Sequence, residues 1–373
     1  MPIRQDVPDP VLLMLRMSKL NAHSSQTIDF MRFPLIVGIV MIHCHIESDS
    51  LPAATCFINL FHIGFCRPCV PLFFIISGFL FFRNGTSDRT TYISQLRKRV
   101  PTVLVPYLLW NILALIWYVM VSRGAIVAKI PTDNIFKFLQ YIFWDQLGEP
   151  CSFYYEPPTT PVDYPLWYLR DLIVMSIISP LFYVLLKGRK GIWVLGALLV
   201  CFVAGLGPHI SGLEPVAVVF FGFGAYSGIH GLDPVEACGR PTVFRATAAT
   251  AIWTALCVAS VSGPTAFIRE RCIGLGILCG VYALTCWASY MTDRRARIPA
   301  LLTSSTFFVF GLHSLVIGPW RSILSKVIIP DTSVGMILLY FSLSATVTAF
   351  CVASYWLLRR ICPPIAKALT GGR

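Results

Sequence analysis

Only 13% of the 373 residues are charged and 56% are hydrophobic, whereas about a quarter of the residues of a soluble domain are charged. This composition excludes an ordinary soluble domain and predicts a membrane protein with many spans. The net charge of +12 is therefore interpreted through membrane topology, and no nucleic-acid partner is expected.

Ten apolar segments follow one another along the chain, and they predict an all-α bundle of about ten transmembrane helices in a lipid bilayer. They cover about residues 28–47, 68–83, 101–121, 165–186, 191–207, 213–230, 243–262, 272–291, 300–324 and 334–358. The second, fifth and sixth segments are short or rich in glycine. Residues 26–360 are interpreted as one membrane domain, preceded by a cytoplasmic segment, 1–25, and followed by a cytoplasmic tail, 361–373.

Positive charge sets the predicted orientation. Arginines and lysines form clusters after the second, fourth, eighth and tenth segments. With ten spans all four clusters lie on one side, which the positive-inside rule identifies as the cytoplasm. We therefore expect a multi-pass protein of the cell (plasma or inner) membrane with both termini in the cytoplasm. The long connection at about 122–164 is then outside, either as a cap over the outer mouth or as a partly ordered loop.

Arg32 and His43 are the unusual residues of the first segment. Ionisable groups at bilayer depth are costly, so they usually face a polar interior rather than lipid. Eleven residues are about three helical turns, which places both side chains on nearly one face, roughly 16 Å apart along the axis. A cation and a titratable base in this arrangement suit the binding of an anionic donor and the deprotonation of a nucleophile. The alternative is an arginine that extends to the membrane surface and a histidine packed in the core.

Polar residues near the second and third segments add further candidates. Ser77 precedes Gly78 in an aromatic run, which indicates either a close helix approach or a polar contact. Arg97, Lys98 and Arg99 directly precede the third segment. Such a cluster either binds phosphate groups or serves as a topology signal in contact with anionic lipids.

The fourth and ninth segments also carry polar residues at bilayer depth. Trp167 and Tyr168 are typical of interfacial aromatics, whereas Arg170 and Asp171 are expected to pair or to line a cavity. His313, in the ninth segment, is the second deep histidine.

Five stretches in chain order together resemble the acyltransferase-3 family of membrane acyltransferases. They are Arg32 and His43 at the family's Arg-x10-His spacing, residues 72–80, the cluster 97–99 before Pro101, residues 165–169 with their Trp-aromatic-Leu pattern, and residues 310–313 ending in His313. The resemblance spans about residues 25–325. One departure is that Phe33 and Pro34 follow Arg32, where the family commonly has a small residue, and Pro34 is expected to begin or kink the helix there.

The resemblance implies a ten-helix bundle that moves an acyl group, usually acetyl, from cytoplasmic acyl-CoA to a hydroxyl, often on a cell-surface sugar or lipid-linked glycan. Within it we hypothesise that His43 is the general base, with an acyl-His43 intermediate as the alternative, and that Arg32 holds CoA at the cytoplasmic mouth. The residues hypothesised to bind the phosphoadenosine end of CoA are Arg97, Lys98, Arg99 and Arg83. Those hypothesised to contact the acceptor or to form its pocket are Ser77, Trp167, Tyr168, Arg170 and His313.

A transporter or flippase of a polar solute or glycan, without acyl transfer, is the rival interpretation. Helices interrupted by glycine and proline, with polar residues at the midplane, also suit translocation. No inverted internal repeat is visible in the sequence to support it. No metal site is predicted, and the sequence indicates no particular oligomeric state.

Overall fold

The computed structural model describes residues 22–83, 89–121, 130–131, 133–145, 159–207, 209–239 and 242–372. Over these residues the chain is helical and contains no strand, which confirms the predicted all-α membrane fold. The α-helices are α1 (Ala22–His43), α2 (Pro52–Asn59), α3 (Cys69–Phe82), α4 (Arg89–Arg99), α5 (Val105–Val121), α6 (Ile135–Phe143), α7 (Trp167–Ile177), α8 (Ser179–Leu186), α9 (Gly191–Val203), α10 (Pro215–Ile229), α11 (Val243–Ser262), α12 (Ala266–Asp293), α13 (Ala300–Leu324), α14 (Ser333–Ile361) and α15 (Pro363–Thr370).

The described helices differ in whether they are long enough to cross a membrane. Among the described residues, seven helices are long and apolar enough to cross a membrane, and an eighth span results if the pair Tyr164–Ile177 and Ser179–Leu186, bent by 61°, counts as one. The helices Gly191–Val203 and Pro215–Ile229 are apolar but shorter. Every predicted segment is helical, and the count of ten stays a prediction.

Helix α1 shows how a proline is accommodated in a span. The expectation that Pro34 begins the helix is wrong, because α1 is already helical at Ala22 and continues through Pro34 to His43. Proline removes only one backbone N–H, the donor that would bond to the carbonyl of Phe30. Membrane helices tolerate this loss where neighbouring elements pack around them. Arg32 and His43 are therefore on one helix, as their spacing predicts.

Helices α3 and α10 pack very closely against each other because both have a glycine at the contact. A side chain on Gly78 would collide with the backbone carbonyl of Phe221, and one on Gly224 would collide with the carbonyl of Ile75. Small residues at such positions allow helix backbones to approach closely. Gly78 therefore serves close packing, and this fixes the position of α3 beside the candidate site.

Contacts gather the four positively charged clusters of the sequence at one end of the bundle, which we call the basic end. Asp29, Arg32 and Arg99 line one cavity there, and Asp29 also lines a second hollow with Arg295 and Arg297. The contacts that bring the other clusters to this end are those of Gly228 with the backbone of Arg83, of His230 with the carbonyl oxygen of Leu186, and of Gly371 with the backbone of Thr102.

The long connection at 122–164 contains helix α6, which lies outside the ten predicted apolar segments. Asn134 caps its first turn by accepting hydrogen bonds from the N–H groups of Phe136 and Lys137, at 2.8 and 3.3 Å. Asparagine at this position satisfies N–H groups that have no partner within the helix. Residues 122–129, 132 and 146–158 of the connection lie outside the described residues, and the cap over the outer mouth stays a prediction.

Candidate functional site

A cavity of about 780 Å³ runs between α1, α3, α7 and α13. Asp29, Arg32 and Arg99 line it at the basic end, and Ile39 and Phe310 line it further along α1 and α13. Its remaining walls are mostly apolar. The lining stops one helical turn before His43 on α1, so the cavity leads from two arginines toward the deep histidine.

Arg32 forms an ion pair at the cavity mouth. Its Nη1 lies 2.8 Å from Oδ1 of Asp29, one turn earlier on α1, and both side chains are partly exposed at 35% and 53%. An exposed pair of this kind contributes about 0–1 kcal/mol. An anionic ligand at the mouth can therefore compete with Asp29 for Arg32.

The basic cluster before the third segment divides between two hollows. Arg99 lines the main cavity, donates from Nη2 to the carbonyl oxygen of Ser77 at 3.2 Å, and lies over the ring of Phe81 with 5.6 Å to its centroid. Arg97 and Lys98 instead line a separate open hollow of about 600 Å³. The structure thus brings Arg99, but not Arg97 or Lys98, together with Arg32.

Arg83 lines neither of these hollows. It caps the end of α3, where its N–H donates to the carbonyl of Phe79 at 2.9 Å. The hypothesis that Arg83 shares in CoA binding therefore gains no support from its position.

Ser77 and Tyr168 meet inside the main cavity. Their hydroxyl groups are 3.2 Å apart, and both residues belong to the lining. The ring of Tyr168 also contacts Phe310, with 5.9 Å between centroids. Trp167, by contrast, is absent from the lining and its ring lies 6.3 Å from that of Phe74. Of this pair, Tyr168 is the residue placed to contact a ligand.

The two deep histidines are neighbours. The rings of His43 and His313 stack with 5.2 Å between centroids and an interplanar angle of 28°. The Nδ1 of His313 donates to the carbonyl oxygen of Val309 at 3.0 Å, since a carbonyl can only accept. Its Nε2 is buried and has no hydrogen-bond partner among the residues that the structure describes. Phe310, at the inner end of the cavity, lies 6.1 Å from the His313 ring.

Tyr164 also contacts His43. Its hydroxyl forms a hydrogen bond with Nδ1 of His43, and the two rings meet edge to face with 4.6 Å between centroids and 81° between planes. The histidine pair and this tyrosine form the histidine cluster: His43, His313 and Tyr164. It lies beyond the end of the cavity that is distant from the arginines.

Asp163 is a buried carboxyl next to the histidine cluster. Its Oδ1 accepts a hydrogen bond of 2.6 Å from Ser314, and its backbone N–H donates to the side-chain oxygen of Asn111 at 3.1 Å. Burial raises the pKa of Asp163 to about 8, against the opposing effect of the Ser314 hydrogen bond. The group is therefore mainly neutral at pH 7, which avoids the cost of a buried charge.

Arg170 belongs to a buried network that holds the connection 122–164. Its Nη1 donates to the carbonyl oxygens of Trp144 and Thr159 at 2.8 and 3.1 Å, and its Nε donates to Oδ1 of Asp171 at 3.0 Å. Oδ2 of Asp171 accepts from the N–H of Glu214 at 3.1 Å. Arg170 and Asp171 pair, as the sequence predicts, but Arg170 does not line the cavity.

Glu214 in this network also contacts His209, with 3.1 Å between its Oε2 and the histidine Nδ1.

Sequence reasoning missed several residues of the site. Asp163 and Tyr164 directly precede the recognised stretch 165–169, and Ser314 directly follows His313. The residues next to the recognised motifs were therefore the ones to consider as further site residues. Arg295 and Arg297 belong to the positively charged cluster after the eighth segment, which the sequence indicates only as a topology signal. With Asp29 they line a hollow of about 290 Å³ that adjoins the cavity mouth.

Metal ligation has no candidate in the described part of the chain. No group of three or more histidine, cysteine, aspartate or glutamate side chains is arranged there to hold an ion.

Known proteins resemble the chain over nearly all of its length. The family model Acyl_transf_3, described as an acyltransferase domain, matches residues 26–356. The succinoglycan biosynthesis protein ExoH of Rhizobium meliloti (strain 1021) is 27% identical over 375 residues, which cover 95% of this chain and 94% of that protein. No solved structure matches the chain. Because the family model covers most of the sequence, the chain belongs to the acyltransferase 3 family and is a membrane-embedded acyltransferase.

Proposed function

We propose that the protein transfers an acyl group, acetyl in the first instance, from acyl-CoA to a hydroxyl of a cell-surface polysaccharide or lipid-linked glycan. The observation that carries the proposal is the cavity that leads from Arg32 and Arg99 to within one helical turn of His43. Family membership favours acyl transfer over transport alone. The name of the relative, a succinoglycan biosynthesis protein, supports a polysaccharide acceptor.

The charge at the cavity mouth supports a CoA donor. CoA ends in phosphate groups, and arginine is well suited to bind phosphate through paired N–H donors. Arg32 and Arg99 lie at the mouth, and Arg295 and Arg297 line the adjoining hollow. The phosphates would bind here while the flexible pantetheine arm extends along the apolar wall. The positive-inside rule favours a cytoplasmic location for this end, which is the compartment where acyl-CoA is made.

His43 would perform the proton transfer. As the acceptor oxygen attacks the thioester carbonyl, the imidazole takes the hydroxyl proton. The tetrahedral intermediate then collapses, the carbon–sulfur bond breaks, and the CoA thiolate leaves with its electron pair. The imidazolium returns the proton to this thiolate, so the products are the ester and CoA thiol and His43 is neutral again.

Replacing Arg99 with glutamine tests the donor site. Hydrogen bonds to charged groups contribute about 1.5–3 kcal/mol, so we expect Arg99→Gln to raise the KM for acetyl-CoA at least about tenfold. Lys98→Gln should raise it less than about twofold, because Lys98 lines the separate hollow and an exposed charge is screened by salt. The measurement is steady-state release of CoA by detergent-purified protein.

Acetylpantetheine, which lacks the adenosine phosphates, is the matched donor. We expect Arg99→Gln to leave its KM unchanged if Arg99 binds phosphate. A larger effect of Lys98→Gln than of Arg99→Gln on acetyl-CoA would place the donor in the other hollow.

A further inference from the structure

Tyr164 is the one residue of the histidine cluster that neither the sequence nor the family resemblance assigned a role. Its hydroxyl meets Nδ1 of His43, while His313 stacks on the same imidazole. The ring of His43 is therefore held from two directions, by an edge contact and a stacked contact. This arrangement restricts the orientation of His43 at the inner end of the cavity.

The contact also bears on which nitrogen of His43 acts as the base. Neutral histidine carries one N–H, and a hydrogen bond at one ring nitrogen determines the state of the other. If Nδ1–H donates to the Tyr164 oxygen, Nε2 keeps its lone pair and can accept a proton. The neighbouring His313 has this tautomer, because its Nδ1 donates to the carbonyl of Val309. When Nε2 takes up a proton, the bond from Nδ1–H to Tyr164 becomes charge-assisted and therefore stronger.

Tyr164 is itself held in place by the buried residue before it. Asp163 joins Ser314 on α13 and Asn111 on α5, and Tyr164 then begins a short helical turn, Tyr164–Leu166. Since Ser314 adjoins His313, the same anchor fixes both contacts of His43. Tyr164 reaches His43 across 121 residues of sequence, so this anchoring determines whether the contact forms.

We propose that Tyr164 is a positioning residue that accepts the Nδ1–H of His43 and thereby leaves Nε2 as the base for the acceptor hydroxyl. The inference rests on the proposed role of His43 in acyl transfer. A tyrosine at the end of the connection 122–164 would thus orient the base on α1.

A double-mutant cycle tests this proposal on the detergent-purified full-length protein. Tyr164→Phe keeps the ring and removes the hydroxyl, and we expect kcat to fall about tenfold, the value of one hydrogen bond that strengthens in the transition state. The KM and Kd for acetyl-CoA should stay within about twofold of wild type. In a His43→Gln background, Tyr164→Phe should lower the residual rate no further, because the base through which it acts is absent. Tyr183→Phe, a half-buried tyrosine beside Lys187, is the control and should keep the wild-type kcat.

Each outcome is decisive. The proposal is overturned if Tyr164→Phe keeps the wild-type kcat, if it loses donor binding, or if it lowers the residual rate of the His43→Gln protein by the same factor as that of wild type. The last two results would show a purely structural role. Full activity of His43→Gln would instead refute the base role of His43 on which the inference rests, so the two failures are distinguishable.

Discussion

Replacing His43 with glutamine should lower kcat for acyl transfer by about 10²- to 10⁴-fold, the usual contribution of a general base. Glutamine is similar in size and polar but cannot take up the hydroxyl proton. Because Arg32 and Arg99 remain at the cavity mouth, the Kd for acetyl-CoA should stay near its wild-type value. The measurement is product formation by purified protein together with donor binding by calorimetry.

His230→Gln is the matched control for this experiment. His230 is half-buried at the basic end and bonds to the carbonyl oxygen of Leu186 at 2.9 Å, outside the cavity lining. We expect it to keep near-wild-type activity. If His43→Gln keeps more than about a tenth of the wild-type rate, a loss far below that of a missing base, His43 is not the base.

Replacing Arg170 with methionine should cause the largest loss of stability. Arg170 is 1% exposed and Asp171 is 0% exposed, so the variant leaves an uncompensated carboxylate in the interior, at a cost of about 3–5 kcal/mol. The carbonyl groups of Trp144 and Thr159 also lose their donor. We expect little monodisperse protein after detergent extraction and a clearly lower thermal midpoint, measured by fluorescence-detected gel filtration.

Removing both charges separates the effect of the buried charge from the effect of shape. Buried pairs can often be replaced by apolar residues of similar volume at little cost, so Arg170→Met with Asp171→Leu should recover much of the lost stability. Recovery will be partial, because the N–H of Glu214 loses its acceptor. If Arg170→Met alone is as stable as wild type, the network does not hold the connection 122–164.

The sequence predicts the part of the site that lies along single helices. Arg32 and His43 share α1, and helical spacing alone relates them. For Ser77 and Gly78 the sequence indicates either a close helix approach or a polar contact, and the structure contains both. Gly78 allows close contact with α10, while Ser77 makes the polar contact with Tyr168.

Helical phase at the basic cluster is harder to predict. Val100–Leu104 forms a π-helical turn directly after α4, and such a turn shifts the faces of the residues around it. The choice of Arg99 for the cavity therefore depends on local geometry that composition does not show. Charge count alone treats Arg97, Lys98 and Arg99 as equivalent.

Contacts between residues far apart in the chain are the part of the site that the sequence does not predict. Asp163 meets Ser314 across 151 residues and Tyr164 meets His43 across 121. Periodicity and motif spacing describe neighbours within one helix, so neither indicates such pairs. Hydropathy also identifies the short apolar helices Gly191–Val203 and Pro215–Ile229. It does not determine whether these two helices span the membrane.

The path of the acyl group is tested most directly in proteoliposomes of known orientation. A C-terminal tag marks the basic end, since Gly371 packs against Thr102 there, and its protease sensitivity reports which way the protein faces. Labelled acetyl-CoA is then supplied on one side of the membrane and a glycan acceptor on the other. We expect labelled glycan only when acetyl-CoA is on the side of the basic end. Labelling that requires acetyl-CoA on the side of the histidine cluster, or no labelling from either side, would contradict the proposed path from the arginines to His43.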